Sequence, residues 1–218
     1  MIQVTPAPEP ECFDALVRRP GLQAIKDLIG DPTAAVRTGR PRKVVASAAE
    51  DIPADQFPAY WTRVHHELLD AYHRICAYAC LHIPPVTGAG TVDHFAPKSR
   101  HWMHVYEWGN YRLACGIINA VKQAYEDVVV PFEVEEGMFA LDLTALMAVA
   151  GPNAGARRDG VAATISRLRL DGPDYKAALG HYHMAYRARR ISFAYLEQCA
   201  PFLAYELRRQ GDLNDEDV

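Results

Sequence analysis

Between residues 58 and 81 the apolar positions Trp61, Val64, Leu68, Tyr72, Ile75 and Ala79 recur at steps of three and four. That period predicts one long amphipathic helix, with Asp55 as N-cap and the Pro84-Pro85 pair as its stop. Upstream, residues 1–55 are proline-rich. Short helices are predicted at "ECFDALVRR" and "GLQAIKDLIG", the second closed by Gly30 and Pro32, and "PRKVVASAAEDIPADQ" reads as a loop or linker. Downstream, "TGAG" is a turn and "TVDHF" a short strand. "VYEWGNYRLAC" fits a second short strand, a tight turn and the start of a helix. "GIINAVKQAYEDV" carries Ile117, Val121 and Tyr125 at helical spacing.

The pattern changes again in "VVVPFEVEEGMFALDL", where apolar and polar residues alternate around "EEG", a hairpin signal. From there the chain reads as helical. "GVAATISRLRL" is one segment, and residues 174–210 form one long helix or two, with Pro201 at a kink or break. The acidic tail "GDLNDEDV" is expected to fray. The fold class is therefore α+β, mostly helical. It comprises an N-terminal extension (1–55), a central unit (56–145) and a C-terminal helical region (146–218).

Composition narrows the function classes. Half of the 218 residues are hydrophobic and 23% are charged, ordinary values for a globular protein. No apolar run approaches the roughly 18 residues that would suggest a membrane span. The N-terminus lacks the basic-then-apolar pattern of a signal peptide. Five cysteines, odd in number and irregularly spaced, argue against a disulfide framework and for a reducing cytoplasm. A net charge of −4 disfavours wholesale binding of a polyanion, although "RTGRPRK" concentrates Arg37, Arg40, Arg42 and Lys43. That run is either a solvated loop or a phosphate-contacting one.

The chemistry concentrates in the centre. A strand ends on Asp93-His94, Asn110 follows at a turn, and Asn119 lies on a predicted helix. Strand–turn–strand–helix would fold Asp93 and Asn119 toward each other, so that two oxygen donors face one cleft. Such donors suit a hard divalent cation, Mg²⁺ or Mn²⁺, that keeps waters and meets a phosphate. Strand alternation puts His94 on the opposite face from Asp93, where an imidazole serves as a general base. The Asp-His pair, Asn110, Asn119 and Lys122 at these spacings raise catalysis well above what an isolated Asp-His pair would warrant.

The run "VDHFAPKS…YEWGNYRLACGIINAVK" resembles the HNH, or ββα-metal, endonucleases. Within that family it is most similar to the HNH nucleases of bacterial anti-phage systems of the Septu and retron-associated type. The resemblance covers about residues 72–143 and leaves both ends loosely matched. It implies a small ββα-metal core that hydrolyses DNA phosphodiester bonds in an anti-phage defence system, with a partner ATPase. By position, Asp93 and Asn119 would hold the catalytic cation and His94 would be the general base. Asn110 would brace the loop around His94, and Lys122 or Lys98 would reach a phosphate.

The family pattern is also broken. Relatives often hold a structural Zn²⁺ with two C-x-x-C pairs. Here Cys76 and Cys115 keep the first position of each pair, Ala79 and Ile118 occupy the second, and Cys80 falls one place late. A closed zinc shell needs four ligands, so apolar packing by Ala79 and Ile118 is expected in its place, with the cysteines as small buried hydrophobes. Two rivals stand beside the nuclease: an HNH-like scaffold that only binds nucleic acid or a partner, and a zinc hydrolase built on Asp93, His101 and His104. Tyr106, Trp108 and Tyr111 are expected to pack in the core rather than stack on bases. Arg187, Arg189 and Arg190 are read as a solvated helix face, His65 and His66 as exposed or partly packed helix positions, and His181 and His183 as structural.

Overall fold

The structure is a computed structural model that describes every residue except 37, 38, 40, 41 and 218. Arg37 and Arg40 of the basic run thus lie outside the described residues. A π-turn at Asp14–Arg18 runs directly into α1 (Arg19–Ile29). Gly30 closes α1 at φ 68°, the left-handed geometry that glycine adopts without strain.

The predicted helix over 58–81 does not form as one piece. A 3₁₀ turn at Tyr60–Val64 leads into the short α2 (His65–Ala71). Ala59, not Asp55, stands at the N-cap position of that turn. After Tyr72 the backbone reverses through His73 and Arg74, at φ 48° and 58°, and Ile75 bridges His82. Residues 76–80 then form a tight turn, not a helix face. Tertiary contacts override the helical period here: the Ala77 N–H donates to the Leu113 carbonyl at 2.8 Å, and the buried ring of Tyr78 turns inward.

β1 (Gly90–His94) and β2 (Tyr111–Cys115) pair antiparallel, with Asp93 opposite Arg112 and His94 opposite Tyr111. The first half of "VYEWGNYRLAC" is a 3₁₀ turn at Trp108–Asn110, and only its second half is a strand. β2 passes without a loop into α3 (Gly116–Lys122), which packs on both strands. α3 is shorter than its pattern predicts. Gln123 leaves it at φ 48°, so Tyr125 lies beyond the helix.

The hairpin exists, displaced from its predicted turn. β3 (Phe139–Asp142) and β4 (Met147–Ala150) are joined by residues 143–146, whereas "EEG" precedes β3. Asp142 makes the turn, because its Oδ1 accepts the N–H groups of Thr144 and Ala145, both at 2.9 Å.

Four helices follow: α4 (Arg158–Arg167), α5 (Pro173–Arg187), α6 (Phe193–Cys199) and α7 (Pro201–Arg209). The stretch read as one or two helices is thus three. Ser192 starts α6 by accepting the Tyr195 N–H, and Pro201 starts α7. The acidic tail is tied down: Asp217 accepts from the Tyr186 hydroxyl at 2.8 Å, and Arg187 pairs with Asp212.

One cluster of buried side chains runs from Phe13 through Tyr78 and Leu113 to Leu207, drawing on all three regions of the chain. Tyr106, Trp108 and Tyr111 belong to it, as expected for core packing. Phe13 meets the rings of Trp108 and Tyr111 edge-on, each at 5.7 Å. The N-terminal extension is thereby pinned against the start of β2, whose Tyr111 ring also meets His94 on β1.

Candidate active site

β1 carries Asp93 and His94 to opposite faces, and each meets a different set of neighbours. Asp93 is 2% exposed. Its Oδ1 accepts from the Lys122 ammonium at 3.1 Å, and its Oδ2 accepts from the Tyr78 hydroxyl at 2.5 Å. Lys122 is fully buried, over the ring of Phe95, and also donates to the Phe95 carbonyl at 3.4 Å. Lys122 therefore does not reach out to a phosphate, as its position had implied. The last turn of α3 points its stem inward, and the carboxylate of β1 captures its charge.

His94 sits on the other face, 8% exposed, between Trp61 at 4.6 Å and Tyr111 at 5.1 Å, both edge-to-face. Its Nε2 lies 3.0 Å from the Val105 carbonyl. A carbonyl only accepts, so the neutral ring carries its proton on Nε2 and leaves the Nδ1 lone pair free. Burial lowers the imidazole pKa to about 3, and the nearby Lys98 ammonium adds to the effect. The ring is neutral throughout the physiological range.

Asn110 is the brace of this corner. Its Oδ1 accepts the Ala96 N–H at 2.7 Å, and its Nδ2 donates to the carbonyls of Ala96 and His104 at 3.1 and 3.0 Å. The Phe95 N–H in turn donates to the Asn110 carbonyl at 3.0 Å. The loop that leaves His94 is thereby fastened to the turn that enters β2. One side chain pairs three backbone groups of a partly buried loop.

A cleft of about 600 Å³ opens along β1. Gly90 to His94 line it together with Trp61, His65, Lys98, Asn119 and Gln123. Asp93, His94 and Asn119 thus border one space. Asn119 is half-buried, and its carboxamide has no hydrogen-bond partner among the described residues. The Lys98 ammonium lies 4.4 Å from the Trp61 ring centroid, a cation–π contact, and burial lowers its pKa.

Other residues singled out in the sequence lie away from the cleft. His101 meets Glu126 at 2.5 Å, and Arg100 meets the same carboxylate at 2.7 Å. His101 is held by Glu126, and the zinc arrangement of Asp93, His101 and His104 does not assemble among the described residues. Among the described residues no three His, Cys, Asp or Glu side chains group to hold a metal ion. Arg42 binds the Tyr60 hydroxyl at 2.6 Å. Arg187 and Arg189 pair with Asp212 and Glu216 in the tail. Ala79 and Ile118 are buried against the same core as Cys76.

Two residues of the site were missed in the sequence. Tyr78 was hidden in a stretch whose period reads as helix, and nothing local pairs its hydroxyl with Asp93. Trp61 read as one more apolar helix position. Its placement between His94 and Lys98 depends on the 3₁₀ turn that replaces the start of that helix.

Comparison with protein families, curated proteins and solved structures found no match for the chain.

Proposed function

We propose that the chain is a metal-dependent HNH-type endonuclease that hydrolyses nucleic-acid phosphodiester bonds, DNA in the first place. The observation that carries this reading is the His94 corner. A neutral imidazole, fixed through Nε2 by a backbone carbonyl, keeps its Nδ1 lone pair and borders a cleft with room for a phosphodiester. The order β1, β2, α3 and the Asp93–His94–Asn110–Asn119 set fit the ββα core that the sequence resemblance implies.

The donor chemistry is compatible with a hard cation. Asn119 has its carboxamide oxygen to give. Asp93 accepts one bond on each oxygen and keeps further lone pairs. Bound there, Mg²⁺ or Mn²⁺ would neutralise charge on the phosphate and on the departing 3′-oxygen. The residues of the chain account for the remaining steps. His94 takes the proton of the attacking water at Nδ1 while Val105 holds the ring in place. Lys98, not Lys122, is the lysine that faces the cleft and meets phosphate charge there. The product would carry a 5′-phosphate. Membership of an anti-phage defence system, and a partner ATPase, rest on the resemblance alone.

One observation favours a second reading, that of a binding module without catalysis. The Asp93 charge is already compensated by Lys122, so the fold closes without a metal. One experiment separates the two. Supercoiled plasmid and single-stranded DNA are incubated with Mg²⁺ or Mn²⁺ and wild type, His94→Ala or Asn119→Ala. The nuclease reading expects cutting by wild type and a loss of about 10²–10⁴-fold without the base. Equal cutting by wild type and His94→Ala, or none by either, would sink it.

A further inference from the structure

The two outer edges of the β1–β2 pair meet different surroundings. The bonds that flank the ladder fix its parity: the Gly116 N–H donates to the Ala89 carbonyl at 2.8 Å, and the Phe95 N–H to the Asn110 carbonyl at 3.0 Å. In an antiparallel pair the hydrogen-bonded positions recur at every second residue, so Thr91 and Asp93 bond across to Ala114 and Arg112. Gly90, Val92 and His94 therefore turn their N–H and C=O groups away from β2. Tyr111, Leu113 and Cys115 likewise turn theirs away from β1.

The outer edge of β2 is occupied. The Leu113 carbonyl accepts the Ala77 N–H at 2.8 Å, the Cys115 N–H donates to the Cys76 sulfur at 3.4 Å, and the Tyr111 carbonyl accepts from the Arg112 guanidinium at 2.9 Å. The outer edge of β1 has no such partners. Among the described residues nothing bonds the outward N–H and C=O groups of Gly90, Val92 and His94. The cleft lies on that side, since it is lined by all of Gly90 to His94 and by no residue of β2. No proline and no bulge interrupts β1, although these devices ordinarily keep an edge strand from pairing with another chain.

Backbone groups that alternate as donors and acceptors ask for a ligand that alternates likewise. The sugar–phosphate backbone of DNA offers acceptors to the N–H groups but no donors to the carbonyls. An extended polypeptide offers both, at the spacing of a strand. Charge sets a second condition. Lys122 already compensates Asp93, while Lys98, in the loop after β1, borders the cleft and forms no ion pair among the described residues. We propose that the free edge of β1 is a peptide-docking site, which takes an extended segment of a partner polypeptide as a further strand, with an acidic side chain of that segment facing Lys98. The segment would lie in the cleft that His94 borders and exclude a phosphodiester from it. Only that exclusion rests on the nuclease reading; the docking itself does not.

The test pans a library of random linear peptides against the full chain and measures the selected peptides by fluorescence anisotropy. The selected peptides should carry an acidic residue and bind Lys98→Glu more weakly. Binding should also fall about tenfold or more in Val92→Pro, which removes an outward N–H and leaves the bonds to β2 in place. N-methylation along a selected peptide should abolish binding at alternate residues only, the signature of a strand. In hydrogen exchange the peptide should slow the Val92 amide of wild type. Failure to enrich any peptide, binding unchanged in Val92→Pro, or a Val92 amide that the peptide leaves unprotected would overturn the proposal. A single-stranded oligonucleotide that protects this amide where no peptide does would assign the edge to nucleic acid and refute the docking site. Should Val92→Pro not fold, the N-methyl scan and the exchange measurement on wild type decide, and a scan without the alternation refutes the proposal.

Discussion

Lys122 donates to Asp93 across 3.1 Å, with the ammonium fully buried and the carboxylate 2% exposed. The pair joins the last turn of α3 to the end of β1, and Tyr78 completes it from the 76–80 turn. Two charges withdrawn from water are tolerable together and costly apart. Their mutual attraction offsets desolvation only while both are present and hydrogen-bonded. The pair is thus a structural rivet of the β1–β2–α3 unit, placed directly behind the cleft.

The rivet predicts a large loss on breaking it. Lys122→Met leaves Asp93 with only the Tyr78 hydroxyl, and should destabilise the fold by about 3–5 kcal/mol. Asp93→Asn combined with Lys122→Met removes both charges and should recover much of that loss. Urea denaturation of the single and double variants measures the difference. Equal instability of single and double variants would show that packing of the lysine stem, not charge, holds the unit together.

How much of this was legible beforehand follows the range of the interactions. The strand at "TVDHF", the helix stop at Gly30 and the helix of "GVAATISRLRL" rest on local pattern and turn chemistry, and the structure has them. The helix over 58–81 was misread because its apolar period is satisfied twice over, by a short helix and then by a turn packed on β2. Apolar spacing cannot tell these apart when the partner, Leu113, is more than thirty residues away. Asp93, His94, Asn110 and Asn119 could be named from their order along the chain. That Lys122 points into the core and Lys98 into the cleft could not. Both are lysines near the motif, but Lys98 stands in the loop after β1, and the rotation of α3 about its axis decides where Lys122 points. Likewise "EEG" looked like the hairpin turn, because an Asx turn at Asp142 leaves no glycine signal.

Asn110 gives a second prediction. Asn110→Ala removes the partners of the Ala96 N–H and of the Ala96 and His104 carbonyls. Each buried backbone group left unpaired costs about 1–3 kcal/mol, less what water recovers. A loss of roughly 2–4 kcal/mol is expected by the same denaturation assay. Asn110→Asp keeps the acceptor for the Ala96 N–H but turns a carboxylate toward two carbonyls. It should be no better than alanine.

Gly21 tests the packing around Trp61. A Cβ there would fall 2.3 Å from ring atoms of Tyr106, which itself packs against Trp61 at 6.4 Å. Alanine favours a helix by about 1 kcal/mol over glycine, yet the overlap forces the Tyr106 ring to move, at a cost of about 1–3 kcal/mol or more. Gly21→Ala should therefore lower the melting temperature. A melting temperature raised by the substitution would mean that the ring is free to give way.

His94 sets a pH dependence of stability whose sign follows from its burial. Its pKa is about 3 in the folded chain, against 6.5 for an ordinary histidine. Well above pH 6.5 neither state binds the proton, and the residue adds no pH dependence to stability. As pH falls from 6.5 toward 3, the unfolded chain takes up a proton that the folded chain refuses, and stability is lost. The slope from this residue approaches about 1.4 kcal/mol per pH unit within that window. His94→Gln should flatten it, measured as the difference between wild-type and variant unfolding free energies at a series of pH values. A difference independent of pH between 6.5 and 4 would contradict the buried neutral imidazole.

The two lysines near the motif give the sharpest contrast between fold and chemistry. Lys98 borders the cleft, has the Trp61 ring beneath its ammonium and pairs with no carboxylate among the described residues. Removing it exposes no buried charge, so Lys98→Gln should change stability by less than about 1 kcal/mol, the scale of a partly exposed cation–π contact. If the phosphodiester reading holds, the same variant should lose its hold on phosphate. KM for an oligonucleotide should rise, and binding without metal should weaken by roughly tenfold, with a shallower dependence on salt as one phosphate contact is lost. Lys122→Met is expected to do the reverse, weakening the fold while its folded fraction binds DNA with an unchanged salt slope. Fluorescence anisotropy of a labelled single strand at several salt concentrations separates the two. A lower slope for Lys122→Met and none for Lys98→Gln would exchange their roles and place the anion site behind β1 instead of in the cleft.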